Sequence, residues 1–118
     1  MKFSYPSEKF SSARRSLMLP HPNGEASSIA SAFHSCTLGL HDIHDEDLDE
    51  SARDWVAKLN AFMDAAGVQY PVDEGAYIAK AKTLTIDEQY ELSRVVDELA
   101  DWFERRFREE LRSGKRGG

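Results

Sequence analysis

The sequence contains one cysteine, Cys36, and no run of apolar residues close to the ~18 that a membrane-spanning helix needs. A single cysteine cannot form an internal disulfide, so a reducing compartment is the expected location. Residues 1–6 lack the apolar stretch of a signal peptide. We therefore expect a cytoplasmic protein with no membrane contact and no stabilising disulfide.

Motifs that mark common enzyme classes are also absent from the sequence. It has no glycine-rich phosphate loop, no dinucleotide-binding fingerprint and no serine in the glycine context of a hydrolase nucleophile. Cys36 follows the apolar pattern of a helix, without a basic residue beside it on that face, so we expect a buried thiol of low reactivity. The sequence therefore predicts no cofactor and makes an enzyme the less favoured class.

The 118 residues are enough for one domain with a hydrophobic core of its own. Apolar residues make up 41% of the chain and charged residues 31%, which is the balance of a soluble globular protein. No internal repeat or linker divides the chain, so residues 1–118 are expected to form a single helical domain. Residues 1–6 and 113–118 are expected to be frayed ends.

Two helices are predicted in the first part of the chain. The first begins at the Ser7 cap and stops at Pro20, whose ring is incompatible with a helix interior. Residues 20–24 contain two prolines and a glycine, the composition of a turn. A second helix begins near Glu25, and its many alanines and serines would let another helix approach closely. A stop or kink is expected at Gly39, because glycine inside a helix costs ~1 kcal/mol relative to alanine.

The rest of the chain is also predicted to be helical. A third helix is predicted from about residue 45 or 47 to Ala66, where Gly67 would end it. A short helix is predicted over residues 76–83, and the strongest periodic signal marks a long helix over residues 85–112. The sequence therefore predicts an all-α, single-domain bundle of about four helices with a long C-terminal helix.

The long helix has both a start signal and a wide apolar face. Thr85 and Glu88 have the spacing of a capping box, and Gly114 would end the helix. Nine side chains between them are predicted to face the core: Ile86, Tyr90, Leu92, Val95, Val96, Leu99, Trp102, Phe103 and Phe107. A face of this width requires more than one partner helix.

The net charge of −6 is distributed unevenly along the chain. Residues 41–54 contain one base, Arg53, and seven acids: Asp42, Asp45, Glu46, Asp47, Asp49, Glu50 and Asp54. Residues 105–116 contain six bases and two acids. Helix dipoles explain part of this pattern, because acids are favourable at a helix start and bases at a helix end. The acids exceed what capping requires, which indicates an exposed acidic surface for a basic partner.

Protein–protein interaction is the function that these features favour. The lack of catalytic motifs and the separation of acidic from basic segments indicate an adaptor or regulatory partner. Pairing of acidic with basic ends would also allow self-association. Six residues are predicted to bind a partner: Asp45, Asp47, Asp49, Arg105, Arg108 and Arg112.

A metal site is the first alternative. His34 and His41 are seven residues apart and share a face if the helix is continuous, with His44 and Asp45 following. Imidazole and carboxylate groups are ligands for Zn or Fe, so this set would support a metal-dependent or hydrolytic enzyme. The same spacing is typical of ordinary surface histidines, which is the favoured interpretation.

Nucleic-acid binding is the second alternative. Bases alternate with aromatic residues near the end of the long helix, a combination that holds single-stranded nucleic acid. The bases concerned are Arg105, Arg106, Arg108, Arg112, Lys115 and Arg116. However, Phe103 and Phe107 fall on the predicted core face, and DNA repels an acidic chain. Nucleic acid is therefore the less favoured partner.

Overall fold

The computed structural model describes residues 1–18, 24–71 and 74–117, with side chains as far as Ser113. They form five α-helices and one 3-10 helix: α1 (Ser4–Met18), α2 (Glu25–Leu40), the 3-10 helix (Asp45–Asp47), α3 (Glu50–Met63), α4 (Ala76–Thr83) and α5 (Ile86–Gly117). No strand occurs among the described residues, which confirms the all-α class, although the α-helices number five rather than about four. In the described part of the chain, no helix has the length and apolar character to cross a membrane. Of the turn predicted over residues 20–24, all but Gly24 lies outside the described residues.

The long helix α5 begins as the sequence predicts. The amide of Thr85 donates to Glu88 Oε1 at 2.9 Å, and the amide of Glu88 donates to Thr85 Oγ1 at 3.1 Å. These reciprocal bonds satisfy two amides that would otherwise lack a partner at the helix start. The capping box is therefore confirmed.

The core-facing stripe of α5 is narrower than predicted. Seven side chains are buried along it: Leu92, Val95, Val96, Leu99, Ala100, Trp102 and Phe103. The prediction is wrong for Ile86 and Tyr90, which are 69% and 74% exposed. Tyr90 precedes Leu92 by two residues, so at ~100° per residue it points to the opposite side of the helix. Phe107 is half-buried, at the end of the stripe.

Helices α1 and α5 pack antiparallel. The rings of Phe10 and Phe103 are fully buried, with their centroids 4.9 Å apart. One turn further along α1, Arg14 Nη1 lies 3.2 Å from a carboxylate oxygen of Asp97 and 3.2 Å from one of Asp101. Together these contacts set the register of the two helices and place the start of α1 beside the end of α5.

The end of α5 also caps α1. The Glu110 carboxylate accepts the backbone amides of Lys2 at 2.9 Å and of Phe3 at 2.7 Å. The Phe3 ring packs edge-on against Trp102, with centroids 5.8 Å apart. Residues 2 and 3, which the sequence predicts to fray, are thus bonded to the end of α5. Helix α1 begins at Ser4 because α5 supplies the acidic group that the first turn of α1 lacks.

Gly39 lies inside α2, where the sequence predicts a stop or kink. A Cβ atom at this position would lie 3.1 Å from Lys9 Cβ and from two ring carbons of Phe10. The missing side chain therefore lets α1 pack closely against α2. This packing offsets the helix propensity that glycine lacks.

Helix α3 is shorter than predicted. Residues 45–47 form the separate 3-10 helix, so α3 begins at Glu50. It ends at Met63, and Gly67, which we expected to end it, lies in the following loop with a φ of +80°. The short helix α4 is confirmed over the residues that the sequence predicts.

The backbone of α5 remains helical to Gly117, past the stop expected at Gly114 and through the residues expected to fray. Its 32 residues correspond to ~48 Å at 1.5 Å per residue. The described molecule measures 52 × 28 × 26 Å, so α5 sets its long axis. Among the side chains described, as far as Ser113, the last buried one of α5 is that of Phe103, and the turns beyond it extend past the main core.

Leu59 and Leu99 have no exposed surface. We expect Leu59→Ala and Leu99→Ala each to lower the free energy of unfolding by about 2–5 kcal/mol, because the lost methyl groups leave a cavity. Chemical denaturation followed by circular dichroism measures the change. The control is Met18→Ala, at a site 74% exposed, which should change the value by less than about 0.5 kcal/mol. An equally small change at Leu99 would contradict its burial.

A methyl group at Gly39 should destabilise the protein despite the better helix propensity of alanine. The Phe10 ring is fully enclosed, so it has little room to move away from the new atom. We expect Gly39→Ala to cost about 1–3 kcal/mol, the range for overpacked cores. Thermal unfolding measures this, and the loss should be smaller in a Phe10→Leu background. A more stable Gly39→Ala protein would show that α1 and α2 are further apart than described.

Candidate interaction surfaces

The acidic segment and the basic end of α5 meet at one end of the molecule. Asp49 Oδ2 accepts the indole Nε1–H of Trp102 at 3.1 Å, across a separation of 53 residues. Lys2, whose amide is bound by Glu110 of α5, places its Nζ 3.2 Å from Asp47 Oδ2. Two segments that are far apart in the sequence are therefore in contact.

Asp49 has a structural role at this junction. Its Oδ1 accepts the amide of Ala52 at 2.8 Å, which caps the start of α3. The bond from Ala52, and then the bond from Trp102, hold the pKa of Asp49 below its ordinary value, with attraction from Arg106 and Arg105 added. Both carboxylate oxygens are engaged within the molecule, so Asp49 has little capacity left for an external partner.

Asp47 is engaged in a similar way. Its carboxylate accepts the backbone amide of His44 at 2.9 Å. This bond, followed by the interaction with Lys2, lowers the pKa of Asp47. Of the three acids predicted to bind a partner, only Asp45 has a carboxylate without a hydrogen bond or ion pair among the described residues.

We give the name acidic surface to the exposed acids of residues 41–54 whose carboxylates form no ion pair or hydrogen bond within the described residues. Its members are exposed and have no ion pair among the described residues: Asp42, Asp45, Glu46, Glu50 and Asp54. Arg53 is the one base of this segment, and its Nε donates to the Asp45 carbonyl at 2.9 Å rather than to a carboxylate. The carboxylates of the acidic surface are therefore not paired with a base among the described residues.

The arginines at the end of α5 differ in their partners. Arg106 Nη1 lies 3.1 Å from Glu109 Oε2, and Arg108 Nη2 lies 2.9 Å from Glu104 Oε1. Both pairs join neighbouring turns of the same helix, where such exposed pairs stabilise only weakly. Two exposed arginines have no ion pair within the part of the chain whose side chains are described: Arg105 and Arg112.

The aromatic residues of this region do not form a stacking platform. Trp102 is 5% exposed and Phe103 is fully buried. The Arg106 guanidinium covers the Trp102 ring, with its central carbon 4.9 Å from the ring centroid. The predicted Lys115 and Arg116 contacts involve side chains outside those described. The end of α5 thus presents bases without the exposed aromatic faces that hold single-stranded nucleic acid.

A cleft of about 330 Å³ lies between α3 and α5. Trp55 and Trp102, the two tryptophans of the chain, both line it, together with Arg105 and Arg106. Trp55 is half-buried, and its neighbour Asp54 belongs to the acidic surface. The cleft therefore contains an indole with exposed surface and two arginines of α5.

The predicted metal ligands are not brought together. His34 lies in a shallow cleft between α2 and α4. His41 lies ~10 Å further along the same helix, at 1.5 Å per residue, in a separate cleft that Asp64 also lines. His44 and Asp45 lie at the 3-10 helix. Within the described residues, no group of three histidine, cysteine or acidic side chains is arranged to hold a metal ion.

The cleft around His41 contains a contact that the sequence does not indicate. Tyr77 Oη and Thr37 Oγ1 lie 2.5 Å apart. Thr37 donates its hydroxyl hydrogen to the Phe33 carbonyl at 2.9 Å, so Tyr77 is the donor to Thr37. The Phe33 and Tyr77 rings also pack edge to face, with centroids 5.6 Å apart. These contacts attach α4 to α2 across 40 residues of sequence, a separation over which no local pattern exists.

Cys36 is fully buried on the core side of α2, as the sequence predicts. Burial raises the pKa of its thiol to about 12. The thiolate is the nucleophilic and metal-binding form, so this environment leaves Cys36 unreactive near neutral pH. The thiol contributes to packing and takes no part in the surfaces described above.

No protein-family model matches the chain, and the comparisons with curated proteins and with solved structures found no match either. Fold analogy therefore provides no argument about function. The chemistry of the surfaces themselves, in particular charge that the fold leaves unpaired, is what indicates a function.

Removing the Asp49 carboxylate should destabilise the protein through two lost hydrogen bonds. We expect Asp49→Ala to lower the free energy of unfolding by about 1–2 kcal/mol, within the ~0.5–2 kcal/mol range for a lost helix cap. Asp49→Asn retains a capping oxygen and should cost less. Asp42→Asn, at an exposed member of the acidic surface, is the matched control and should not lower the stability.

The charge of Asp49 can be tested separately through pH. Because its folded pKa is lowered, the carboxylate stabilises the folded state above the unfolded pKa of ~3.9, and this contribution is lost as the pH falls through the folded value. The stability difference between the wild type and Asp49→Asn should be full at about pH 7 and should disappear below the folded pKa. Denaturation at several pH values measures it. If the stability difference between the wild type and Asp49→Asn does not depend on pH, the Asp49 carboxylate does not act as an ionised hydrogen-bond acceptor.

Proposed function

We propose that the protein functions by binding a basic segment of another protein at the acidic surface. The supporting observation is that Asp42, Asp45, Glu46, Glu50 and Asp54 are all exposed, with no ion pair among the described residues. Like charges grouped in this way steer oppositely charged partners and exclude partners of the same sign. A segment rich in lysine and arginine has the chemistry that fits these carboxylates.

Most of this negative charge is not required by the fold. Helix α3 already has its cap in Asp49, and a further acid in the first turn adds only ~0.3–1 kcal/mol. Glu50 and Asp54 lie four residues apart on α3, so their mutual repulsion opposes folding. Local features that oppose stability without a structural reason are typical of functional sites.

Trp55 provides a second element of the proposed site. Its half-buried ring lines the cleft between α3 and α5, next to Asp54. The apolar part of the bound segment would pack against this indole, while its lysine and arginine head groups bind the acidic surface. Arg105 and Arg106 also line the cleft, so a cationic head group is not expected inside it. The site would therefore combine charge attraction with one aromatic contact.

The two alternative functions have less support. A metal-dependent or hydrolytic enzyme would require His34, His41, His44 and Asp45 to converge, and they lie in separate places. Nucleic-acid binding would require exposed aromatic faces beside the bases of α5, and the rings of Trp102 and Phe103 are buried. A basic protein partner uses the acidic surface as it stands.

A lysine- and arginine-rich peptide is the probe for this proposal. We expect the variant Glu50→Gln with Asp54→Asn to bind it about 2–30 times more weakly than the wild type, which corresponds to ~0.2–1 kcal/mol for each exposed charge pair. Binding is followed by tryptophan fluorescence, because both tryptophans line the cleft between α3 and α5. It should weaken further as salt rises from about 0.05 to 0.5 M.

The matched control is Glu8→Gln with Glu25→Gln. It removes the same charge from exposed positions, and Glu25 occupies the first turn of α2 as Glu50 does that of α3. If both double variants bind the peptide equally, the attraction depends on net charge and the proposed surface is wrong. Capture of proteins from the native host with the wild type and the two variants then identifies the partner.

A further inference from the structure

The cleft between α3 and α5 contains more hydrogen-bond donors than acceptors that could satisfy them. Three of its side chains carry an N–H or O–H group with no acceptor among the described residues: Ser51, Trp55 and Arg105. The Nε–H of Arg106 is buried and also has no acceptor there. Buried donors in proteins are nearly always hydrogen-bonded, so an unpaired one beside a cleft requires an explanation. The cleft therefore has the capacity to bind a ligand that accepts hydrogen bonds.

The two acids that line the cleft are already engaged inside the molecule. Asp49 accepts the amide of Ala52 with one carboxylate oxygen and the indole N–H of Trp102 with the other. Glu109 Oε2 lies 3.1 Å from Arg106 Nη1. These bonds use acceptors of both carboxylates and offset part of their charge. The donors that remain unpaired therefore decide which ligand fits.

Arg105 provides the positive charge of the cleft that is not paired. It is exposed and forms no ion pair within the part of the chain whose side chains are described. Glu50 and Asp54 are unpaired acids of α3, but they precede Ser51 and Trp55 by one residue each. At ~100° per residue they point to another side of α3, and neither lines the cleft. The unpaired charge that faces the cleft is therefore positive.

The aromatic side chains of the cleft fit a flat ligand. The Arg106 guanidinium covers the Trp102 ring, which keeps this side chain at the cleft with 40% of its surface exposed. Trp55 is half-buried, so part of its ring can pack against another ring. An arginine fork binds a carboxylate or a phosphate through two parallel N–H···O bonds. The volume of about 330 Å³ is at the lower end of the range for small-molecule sites, so one ring with one anionic group fits best.

We propose that the cleft between α3 and α5 binds a small aromatic anion, namely a single flat ring that carries a carboxylate or a phosphate group. Arg105 and Arg106 donate to the anionic group, with Ser51 as a further donor, and the ring packs against the Trp55 indole. This site shares only Trp55 with the one proposed for a basic segment. Either proposal can therefore fail without the other.

Titration of isotope-labelled protein with phenyl phosphate and with benzoate tests the site by NMR. The chain has two tryptophans and hence two indole N–H signals, and Trp55→Phe identifies the signal of Trp55. We expect at least one probe to shift this signal until it saturates, with a Kd near or below about 1 mM, as is usual for ligands of this size. The probe that binds more tightly distinguishes phosphate from carboxylate.

Two further ligands separate the contributions of charge and ring. Inorganic phosphate has the charge without the ring, and benzyl alcohol has the ring without the charge. Each should bind at least about tenfold more weakly than the better aromatic anion, because each lacks one of the two contacts.

Substitutions at Arg105 test the cation. Arg105→Gln should weaken binding about threefold or more through the loss of a charge-assisted hydrogen bond. Arg105→Lys keeps the charge without the planar fork, so its affinity should lie between those of Arg105→Gln and the wild type. Circular dichroism confirms that each variant is folded.

Arg112→Gln is the matched control. Arg112 is also an exposed arginine of α5 with no ion pair among the described side chains, but it does not line the cleft. It lies ~10 Å further along the helix than Arg105, beyond the Debye length of ~8 Å at about 0.15 M salt. This variant should therefore bind the probe as the wild type does.

Three results would overturn the proposal. The first is that neither aromatic anion shifts the Trp55 signal at concentrations up to ~10 mM. The second is that inorganic phosphate or benzyl alcohol binds as tightly as the better aromatic anion, which would show that charge or ring alone decides. The third is that Arg105→Gln binds no more weakly than Arg112→Gln, which would show that the cleft arginine has no specific role.

Discussion

Phe10 is the side chain at which three helices meet, and the other contacts depend on it. Its ring has no exposed surface and lies 4.9 Å from the ring of Phe103 on α5. The same ring occupies the space that a side chain at Gly39 of α2 would need. The Phe10 ring therefore helps to set both the register of α1 on α5 and the distance between α1 and α2. The cap that Glu110 forms on α1 follows from that register.

Features with local causes could be predicted from the sequence. The capping box, the short helix α4 and the long C-terminal helix each depend on residues within a few positions of one another. Gly39 could not be predicted in this way. Its low helix propensity favours an end or kink in α2, whereas its role in the structure is to make room for Phe10 of α1. The error at Ile86 and Tyr90 has a geometric cause. A step of six from Tyr90 to Val96 leaves the face of the helix, and the buried line runs through Leu92 instead.

The acidic and basic segments could be predicted from the sequence. Which of their residues remain unpaired at the surface could not. Nothing near Asp47 or Asp49 indicates that Lys2 and Trp102 engage them, since these partners come from distant parts of the chain. His34 and His41 show the reverse case, because they are close in the sequence but lie in different clefts, separated by the rise of α2. Folding thus divides the acids into two groups. One group stabilises the junction of α3 with α5, and the other keeps the charge on which the proposed function depends.

The bonds from the amides of Lys2 and Phe3 to Glu110 span 108 and 107 positions of the chain. Contacts between such distant residues form late, because the entropy of closing a long loop must be overcome before they add stability. During synthesis, α1 emerges from the ribosome long before the residues that cap it and cover its apolar face. A nascent chain that has not yet reached α5 therefore exposes the Phe3 ring and the side of the Phe10 ring that packs on Phe103. Until α5 has emerged, this N-terminal segment is open to chaperones and to premature association.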